Sequence, residues 1–365
     1  MIVKNIELNN FRSYSNIKVD FSSGINLFHG ENGTGKTNIL EAIYYLAMLK
    51  SFRISDDTVL IKQDAHATKI EAEISNMGLD KNIKLELDTE NKRKTLTVND
   101  NKLKRNSEIM GVLPVVLFSP EHIMVIKGDP GLRRNFIDDL LSQINPEYFH
   151  ILSRYSKEVS HRNYILKQIR EGKLDISNLK VWNKQVMEHG TDIIGKRIIA
   201  INTLNEILKD KLSDINTHVS LDYTLKHFKS NKPEDIAKDY VKYFEDNQSE
   251  EIARSTTLIG PHRDDVAISY NGLSAKRFGS EGQQRITTIL IKLAEGLMIN
   301  EKLGTYPVIL LDDFSSELDN PNRSFIAGTF SKFEQIIVTT TYPDNLKGFK
   351  PSKLFHVEHN AIKVD

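Results

Sequence analysis

Apolar and polar residues alternate along the start of the chain. Ile2, Val3, Ile6 and Leu8 make one apolar set, and Ile17, Val19 and Phe21 a second. After the turn residue Gly24, positions 25–28 read as a short strand that runs into a glycine-rich loop. Period-two alternation predicts strands with one buried face. Over 37–50 the period lengthens, and Ile39, Leu40, Ile43, Leu46 and Ala47 share one side of a predicted helix. Alternation returns at 70–74, 83–87 and 95–98, with Asn99-Asp100-Asn101 as a turn, and 112–118 is a continuous apolar strand.

From about 131 the texture is helical. Asn145 followed by Pro146 marks a helix start, with Asn as the cap and Pro in the first turn. Tyr148, Leu152, Tyr155, Val159, Leu166 and Ile169 then recur at helical spacing, and Gly172 ends the run. A second helix is predicted over 178–215, roughly 55 Å long at about 1.5 Å per residue. A third follows Pro233, around 235–244. Strand texture reappears at 266–268, a helix covers 281–299, and 308–311 and 336–339 are buried-strand runs. The pattern predicts an α/β head made of 1–125 and 255–365, interrupted by a mostly helical arm at 126–254.

Composition narrows the chemistry. A chain of 365 residues exceeds what one core usually holds, so two units are expected. Basic and acidic residues number 49 each, so any nucleic-acid surface must be a local patch. The absence of cysteine excludes disulfides, thiolate zinc sites and a cysteine nucleophile. With neither a signal-like start nor a bilayer-length apolar run, a soluble cytoplasmic protein without membrane contact is expected.

Gly30-Glu31-Asn32-Gly33-Thr34-Gly35-Lys36-Thr37 fits G-x-x-x-x-G-K-S/T between a predicted strand and a predicted helix. Glycines let such a loop aim its N–H groups inward at phosphate oxygens, and the helix adds its positive end. Lys36 is the candidate for the β- and γ-phosphates, and Thr37 for Mg²⁺. The apolar run ending in Asp312-Asp313 supplies a second Mg²⁺ candidate, Asp312, and a catalytic carboxylate, Asp313, to polarise water. Ser280, Gly282 and Gln283 open a helix and resemble the ABC signature, although Ser-x-Gly-Gln is also an ordinary turn. Ser316 and Asp319 resemble the D-loop and equally suit a helix start.

These four motifs, in this order, resemble the ABC-type ATPases. In that class the P-loop of one monomer meets the signature loop of another across ATP, which implies an ATP-dependent homodimer with Ser280, Gly282 and Gln283 acting in trans. The long interval between Lys36 and Ser280 favours the SMC-head branch over a transporter or ribosome-associated cassette. It is too short for SMC coiled coils, and the lack of cysteine excludes a zinc hook. A P-loop protein whose arm is only a scaffold is a further alternative, and ATP-dependent DNA binding would separate the two.

The chain as a whole resembles the RecF family of bacterial recombination mediators. The resemblance rests on Asn10-Phe11-Arg12-Ser13-Tyr14, Asn38-Ile39-Leu40-Glu41-Ala42, Ser51-Phe52-Arg53, Phe118-Ser119-Pro120-Glu121 and Gly128-Asp129-Pro130. It continues through Arg133-Arg134-Asn135-Phe136-Ile137-Asp138, Tyr155, His161-Arg162-Asn163 and Gly260-Pro261-His262-Arg263-Asp264-Asp265, together with the motifs above. It implies an α/β ABC/SMC-head-type P-loop ATPase with a helical inserted arm and weak, DNA-stimulated hydrolysis. It also implies action at gapped or single-stranded DNA and on duplex, with RecR and through it RecO, in RecA loading, replication restart and the SOS response.

By the same resemblance Arg12 and Asn38 join the nucleotide site. Thr340 takes the place of the switch histidine, so hydrolysis is expected to be slow. Lys62, Arg93, Lys104 and Arg105 are DNA candidates, with Lys92, Lys94 and Lys102 nearby. Arg133, Arg134, Arg162 and Arg263 are either functional or internal ion-pair partners. His122 reads as an ordinary surface histidine, and either Gln63 or the 118–121 segment lies near the metal.

Overall fold

The alternating N-terminal segments are strands in the computed structural model, which describes residues 1–91, 93–212, 217–313, 328–342 and 350–364. They are β1 (Ile2–Phe11), β2 (Tyr14–Asp20) and β3 (Gly24–His29), followed by helix α1 (Lys36–Met48). Next come β4 (Ala67–Asn76), β5 (Leu79–Asp88), β6 (Arg93–Val98), β7 (Asn101–Lys102) and β8 (Val115–Phe118). A helical stretch comprises α2 (Met124–Lys127), α3 (Pro130–Ile144), α4 (Pro146–Arg170) and α5 (Leu179–Lys211). The chain continues with β9 (Val219–Thr224), α6 (Pro233–Asp246), α7 (Gln248–Arg254), β10 (Asp265–Tyr270), β11 (Leu273–Ser274) and α8 (Ala275–Phe278). It closes with α9 (Glu281–Leu303), β12 (Val308–Leu311), β13 (Gln335–Thr340), β14 (Lys353–Glu358) and β15 (Ala361–Val364).

Two compact units emerge: residues 1–123, 211–216 and 285–365, and residues 124–210 and 217–284. The first holds an antiparallel sheet, β2-β1-β4-β5-β6-β7, and a second sheet, β15-β14-β3-β13-β12-β8. In the second sheet the strands from β14 to β8 run parallel, and only β15 is antiparallel. Helix α1 touches β1, β4 and β5 of one sheet and β8 and β13 of the other. That sandwiching explains why Ile39, Leu40, Ala42, Ile43, Tyr45 and Leu46 are all fully buried. Each large apolar side chain removed from water contributes ~1.5–3 kcal/mol before entropic costs. Strands β12 and β13 are buried along their whole length, as parallel strands covered on both faces must be. Because β3, β8, β12 and β13 are parallel, their C-terminal ends emerge at one edge, the usual place for a ligand in such sheets.

The second unit is mostly helical, in keeping with the expected arm, and adds one small sheet. It contains the three-stranded sheet β11-β10-β9. The division returns to the first unit between Gln284 and Arg285, inside α9, rather than at the expected 255. The reason is that β10 packs on α3 and α8, so the chain up to the start of α9 belongs with the helices. Asn145 caps α4 as its sequence suggests, its side chain accepting from the Glu147 and Tyr148 N–H groups. The expected end of the second helix at 215 becomes Lys211.

The four arginines left open by the sequence are internal ties of this unit. Arg162, 1% exposed, pairs with the fully buried Glu251 at 2.5 Å. It also donates to Asn183 and Thr257 and covers the Phe244 ring at 4.3 Å. Arg133 grips Asp265 with two bonds of 2.7 and 3.0 Å. Arg134 donates to the Asp264 carbonyl, and Arg263 to that of Thr257. A fifth arginine, Arg197, binds Asp138 through two 2.8 Å bonds. Desolvation offsets much of the Coulombic gain of such pairs, yet removing one partner strands a buried charge at about 3–5 kcal/mol.

His262 lies among these groups, its Nδ1 2.7 Å from the Tyr155 hydroxyl and its Nε2 3.2 Å from the Thr257 carbonyl. Burial pushes its pKa down from the usual 6.5 to about 4, so the folded protein holds it neutral. The unfolded chain binds this proton first as pH falls, so the associated stability is intact above pH 6.5 and declines towards pH 4. The expected loss is up to ~3 kcal/mol. His262→Gln should flatten the acid side of the stability curve in urea titrations, and an unchanged pH slope would overturn this.

Candidate nucleotide site

Strand β3 delivers the glycine loop to the edge where the parallel strands end. Gly30 has φ 144°, and a Cβ there would lie 2.3 Å from the Val357 carbonyl oxygen of β14. Gly35 has φ 106°, and a Cβ would meet the Tyr14 hydroxyl at 2.7 Å. Only glycine serves at both places. Tyr14 also donates to the Gly35 carbonyl at 3.1 Å, so the β1–β2 hairpin props the loop from below. Thr34 donates to the Glu31 carbonyl, and Thr341, just past β13, donates to the Asn32 side chain at 2.9 Å.

Lys36 turns its ammonium back into the loop. It donates to the carbonyls of Gly30 at 2.7 Å and Glu31 at 2.6 Å while only 7% exposed. Burial lowers its pKa from the ordinary lysine value, and Asp313 and Asp312 act in the opposite direction. Thr37 donates to Asp312 Oδ1 at 2.8 Å, joining the start of α1 to the end of β12. The Asp312 N–H donates to the Phe118 carbonyl of β8, fixing the turn from strand to acid. Asp313 is exposed and sits at φ 47°, a left-handed conformation uncommon for non-glycine residues.

A cleft of about 440 Å³ opens over these groups. Asn32, Gly33, Gly35, Lys36, Thr37, Asn38, Asp312, Asp313 and Thr340 line it, as do Ser13, Phe52, Arg53, Thr339 and Thr341. Ser119, Pro120 and Glu121 complete the wall, whereas Gln63 does not reach it. Thr340 accepts from the Tyr342 N–H at 3.1 Å and so stays in its own strand end.

Three readings change. Arg12 is not on the cleft; its guanidinium clasps the fully buried Glu41 at 2.5 and 2.8 Å and donates to the Val59 carbonyl. A buried carboxylate in α1 needs a cation, and the hairpin tip supplies it. His122 is half-buried rather than an ordinary surface group, its Nδ1 taking the Ser119 N–H at 2.9 Å. Burial and the nearby Lys292 push its pKa down to about 3. Lys94 turns inward to the Tyr45 hydroxyl, the Leu49 carbonyl at the end of α1, and Asp57.

The sequence missed Thr339, whose hydroxyl reads as one more member of a β-branched strand. It also gave Arg53 no role, though this residue lines the cleft and donates to Asn38 at 3.2 Å. Arg93, Lys102, Lys104 and Arg105 are exposed on and just after β6 and β7, the edge of the antiparallel sheet. Lys62 bonds Ser15 of β2, at the other edge of that sheet. Lys92 lies outside the described residues, as do Ser316 and Asp319.

In the second unit Ser280 caps α9. Its Oγ accepts from the Gln283 N–H at 3.3 Å, and the Gln283 side chain accepts from the Ser280 N–H at 2.9 Å, a reciprocal capping box. Ser280 and Gly282 remain exposed, and the adjoining Phe278 is 66% exposed.

The residues present fit a magnesium nucleotide. A buried ammonium rests on two backbone carbonyls, and a hydroxyl and a carboxylate oxygen stand together as hard ligands. Among the described residues no group of three or more His, Cys, Asp or Glu forms a self-sufficient metal cage. Mg²⁺ takes few protein ligands and is completed by phosphates and water, so the Thr37 hydroxyl and the Asp312 carboxylate are a donor set it can use.

A P-loop joined to a paired-acid strand in a parallel sheet, with a second sheet behind the helix, defines a head of the ABC/SMC type. The RecF/RecN/SMC N-terminal domain family matches residues 2–363. The chain belongs to the RecF family. It is 38% identical over 366 residues to the DNA replication and repair protein RecF of Clostridium botulinum strain 657, with all of both chains covered. It is 36% identical to the RecF protein of Clostridium acetobutylicum, with 99% of each covered. A solved structure of the recombination mediator protein RecF with ATPrS in the RecFOR pathway matches at TM-score 0.92 and 31% identity, covering 100% of this chain and 98% of that one. An Smc head from Pyrococcus furiosus, at TM-score 0.54 and 17% identity, shares the fold. Among the described residues no helix is long and apolar enough to cross a membrane.

Proposed function

We propose that the chain is an ATP-operated DNA clamp of recombinational repair. The observation that carries this reading is the strand-end constellation in which Thr37 meets Asp312 beside a buried Lys36 whose ammonium rests on loop carbonyls. In it Lys36 exchanges two carbonyls for the β- and γ-phosphates of ATP, and the loop N–H groups hold the rest. Thr37 and Asp312 hold Mg²⁺, which when bound neutralises developing phosphate charge. Asp313 orients and polarises water. Ser280, Gly282 and Gln283 offer a hydroxyl, N–H groups and a helix start to the γ-phosphate held by a second copy. The exposed Phe278 beside Ser280 suits burial in that contact.

The dimer closes on duplex at gaps through phosphate contacts from the β6–β7 edge. With RecR, and through it RecO, it promotes RecA loading on single strands, supporting replication restart and the SOS response. Hydrolysis is slow, because the Thr340 hydroxyl is a weaker γ-phosphate partner than imidazole, and DNA stimulates it. The test is binding to gapped duplex with ATP·Mg²⁺ and without nucleotide, at several salt concentrations. ATP should tighten binding about tenfold or more, with the affinity falling steeply in salt. Equal binding in both conditions would refute the clamp.

A further inference from the structure

Thr339, on β13 beside β12, ties the two acids together. It is 1% exposed, between Val338 and Thr340 of a fully buried strand. A hydroxyl there is unfavourable unless bonded, and this one is bonded on both sides. It donates to Asp312 Oδ1 at 2.7 Å and accepts from the Asp313 N–H at 3.1 Å. The same Asp312 oxygen accepts from Thr37 at 2.8 Å. A hydroxyl has one proton and two lone pairs, so both directions are fixed: the Asp313 N–H to Thr339, and Thr339 to Asp312.

We propose that Thr339 is a positioning residue for the ATPase site, holding Asp312 and Asp313 at once from the neighbouring strand. The inference rests on the function proposed above. Two independent features support it. Thr37 can turn a lone pair to a cation while keeping its proton on Asp312, so Thr339 is the second and permanent anchor of that carboxylate. The backbone of Asp313 stands in the left-handed region at φ 47°, where a non-glycine residue persists only if its surroundings hold it. Among the described residues, the bond to Thr339 does so. The strand partner of Thr339 in β3 is Phe28, two residues before the glycine loop, so the anchor is itself fixed beside that loop.

The test uses Thr339→Val, which keeps the branched shape and removes the hydroxyl, and Thr339→Ser, which keeps the hydroxyl. Turnover should fall roughly 10- to 100-fold in T339V, the range for losing a hydrogen bond to a charged group. The Michaelis constant should change less than about threefold. T339S should recover turnover to within about threefold of the original. Binding supplies a second readout: the gain in ATP affinity on adding Mg²⁺, measured by calorimetry, should shrink in T339V and return in T339S. T339V turning over like the parent, or T339S failing like T339V with an equal loss of melting temperature, would overturn the positioning role. If the unaltered protein neither binds nor hydrolyses ATP, the site reading itself fails, which is a separate result.

Discussion

Asp313→Asn is expected to lower ATP turnover about 10²- to 10⁴-fold, the range for removing a group that acts on a proton in the transition state. The substitution is unusually clean at this position. Asp313 sits at φ 47° and is exposed, and asparagine tolerates that conformation as well as aspartate does. Its N–H to the Thr339 hydroxyl is a backbone bond and survives. Asp312, which faces Thr37 and Thr339, is untouched. ATP affinity should therefore stay within about threefold, since the interaction lost belongs to the transition state. Because hydrolysis resets the proposed dimer, sedimentation with ATP·Mg²⁺ should show a dimer that persists while that of the parent decays. Turnover close to the parent value would remove Asp313 from the reaction. A variant that binds ATP normally but stays monomeric would break the link between nucleotide and assembly.

The parts of the fold most legible in the sequence were those with a local cause. The Asn145-Pro146 start of α4 is written in two residues, because capping is a nearest-neighbour effect. The buried strands β12 and β13 announce themselves as apolar runs, and the glycine loop as a fixed spacing. What the sequence obscured depends on partners distant in the chain. Arg12 reads by resemblance as a nucleotide ligand until the fully buried Glu41 appears beneath it, held by Arg12 together with Ser51 and Arg53. Lys94 reads as part of a basic face until Asp57 and the end of α1 claim it. Thr339 is indistinguishable in type from Thr340 and Thr341; only the pairing of β13 with β12 reveals which hydroxyl meets the acids. Of the small sheet β11-β10-β9 the sequence shows only β10, at 266–268, because β11 has two residues and β9 follows a long helix, where a few alternating residues carry little weight.

Ser280→Arg should abolish ATP-driven assembly, raising the dimer dissociation constant at least about a hundredfold, while ATP binding to the monomer stays within about threefold. The capping role of Ser280 makes this prediction demanding, because a lost cap alone costs about 1 kcal/mol. That loss is tolerable to a helix of 23 residues anchored by Ile286, Ile289, Leu290, Leu293 and Leu297. Ser280→Asn separates the two effects, since asparagine caps a helix as well as serine does and adds no charge. If the serine matters only as a cap, Asn should assemble normally and Arg should show a modest defect matching its lower melting temperature. If the exposed end of α9 forms part of a composite site, Arg should remain monomeric at its full melting temperature, because a guanidinium buried without a carboxylate in a contact surface costs far more than a cap. Assembly of the Arg variant at parental concentrations would take Ser280 out of the interface.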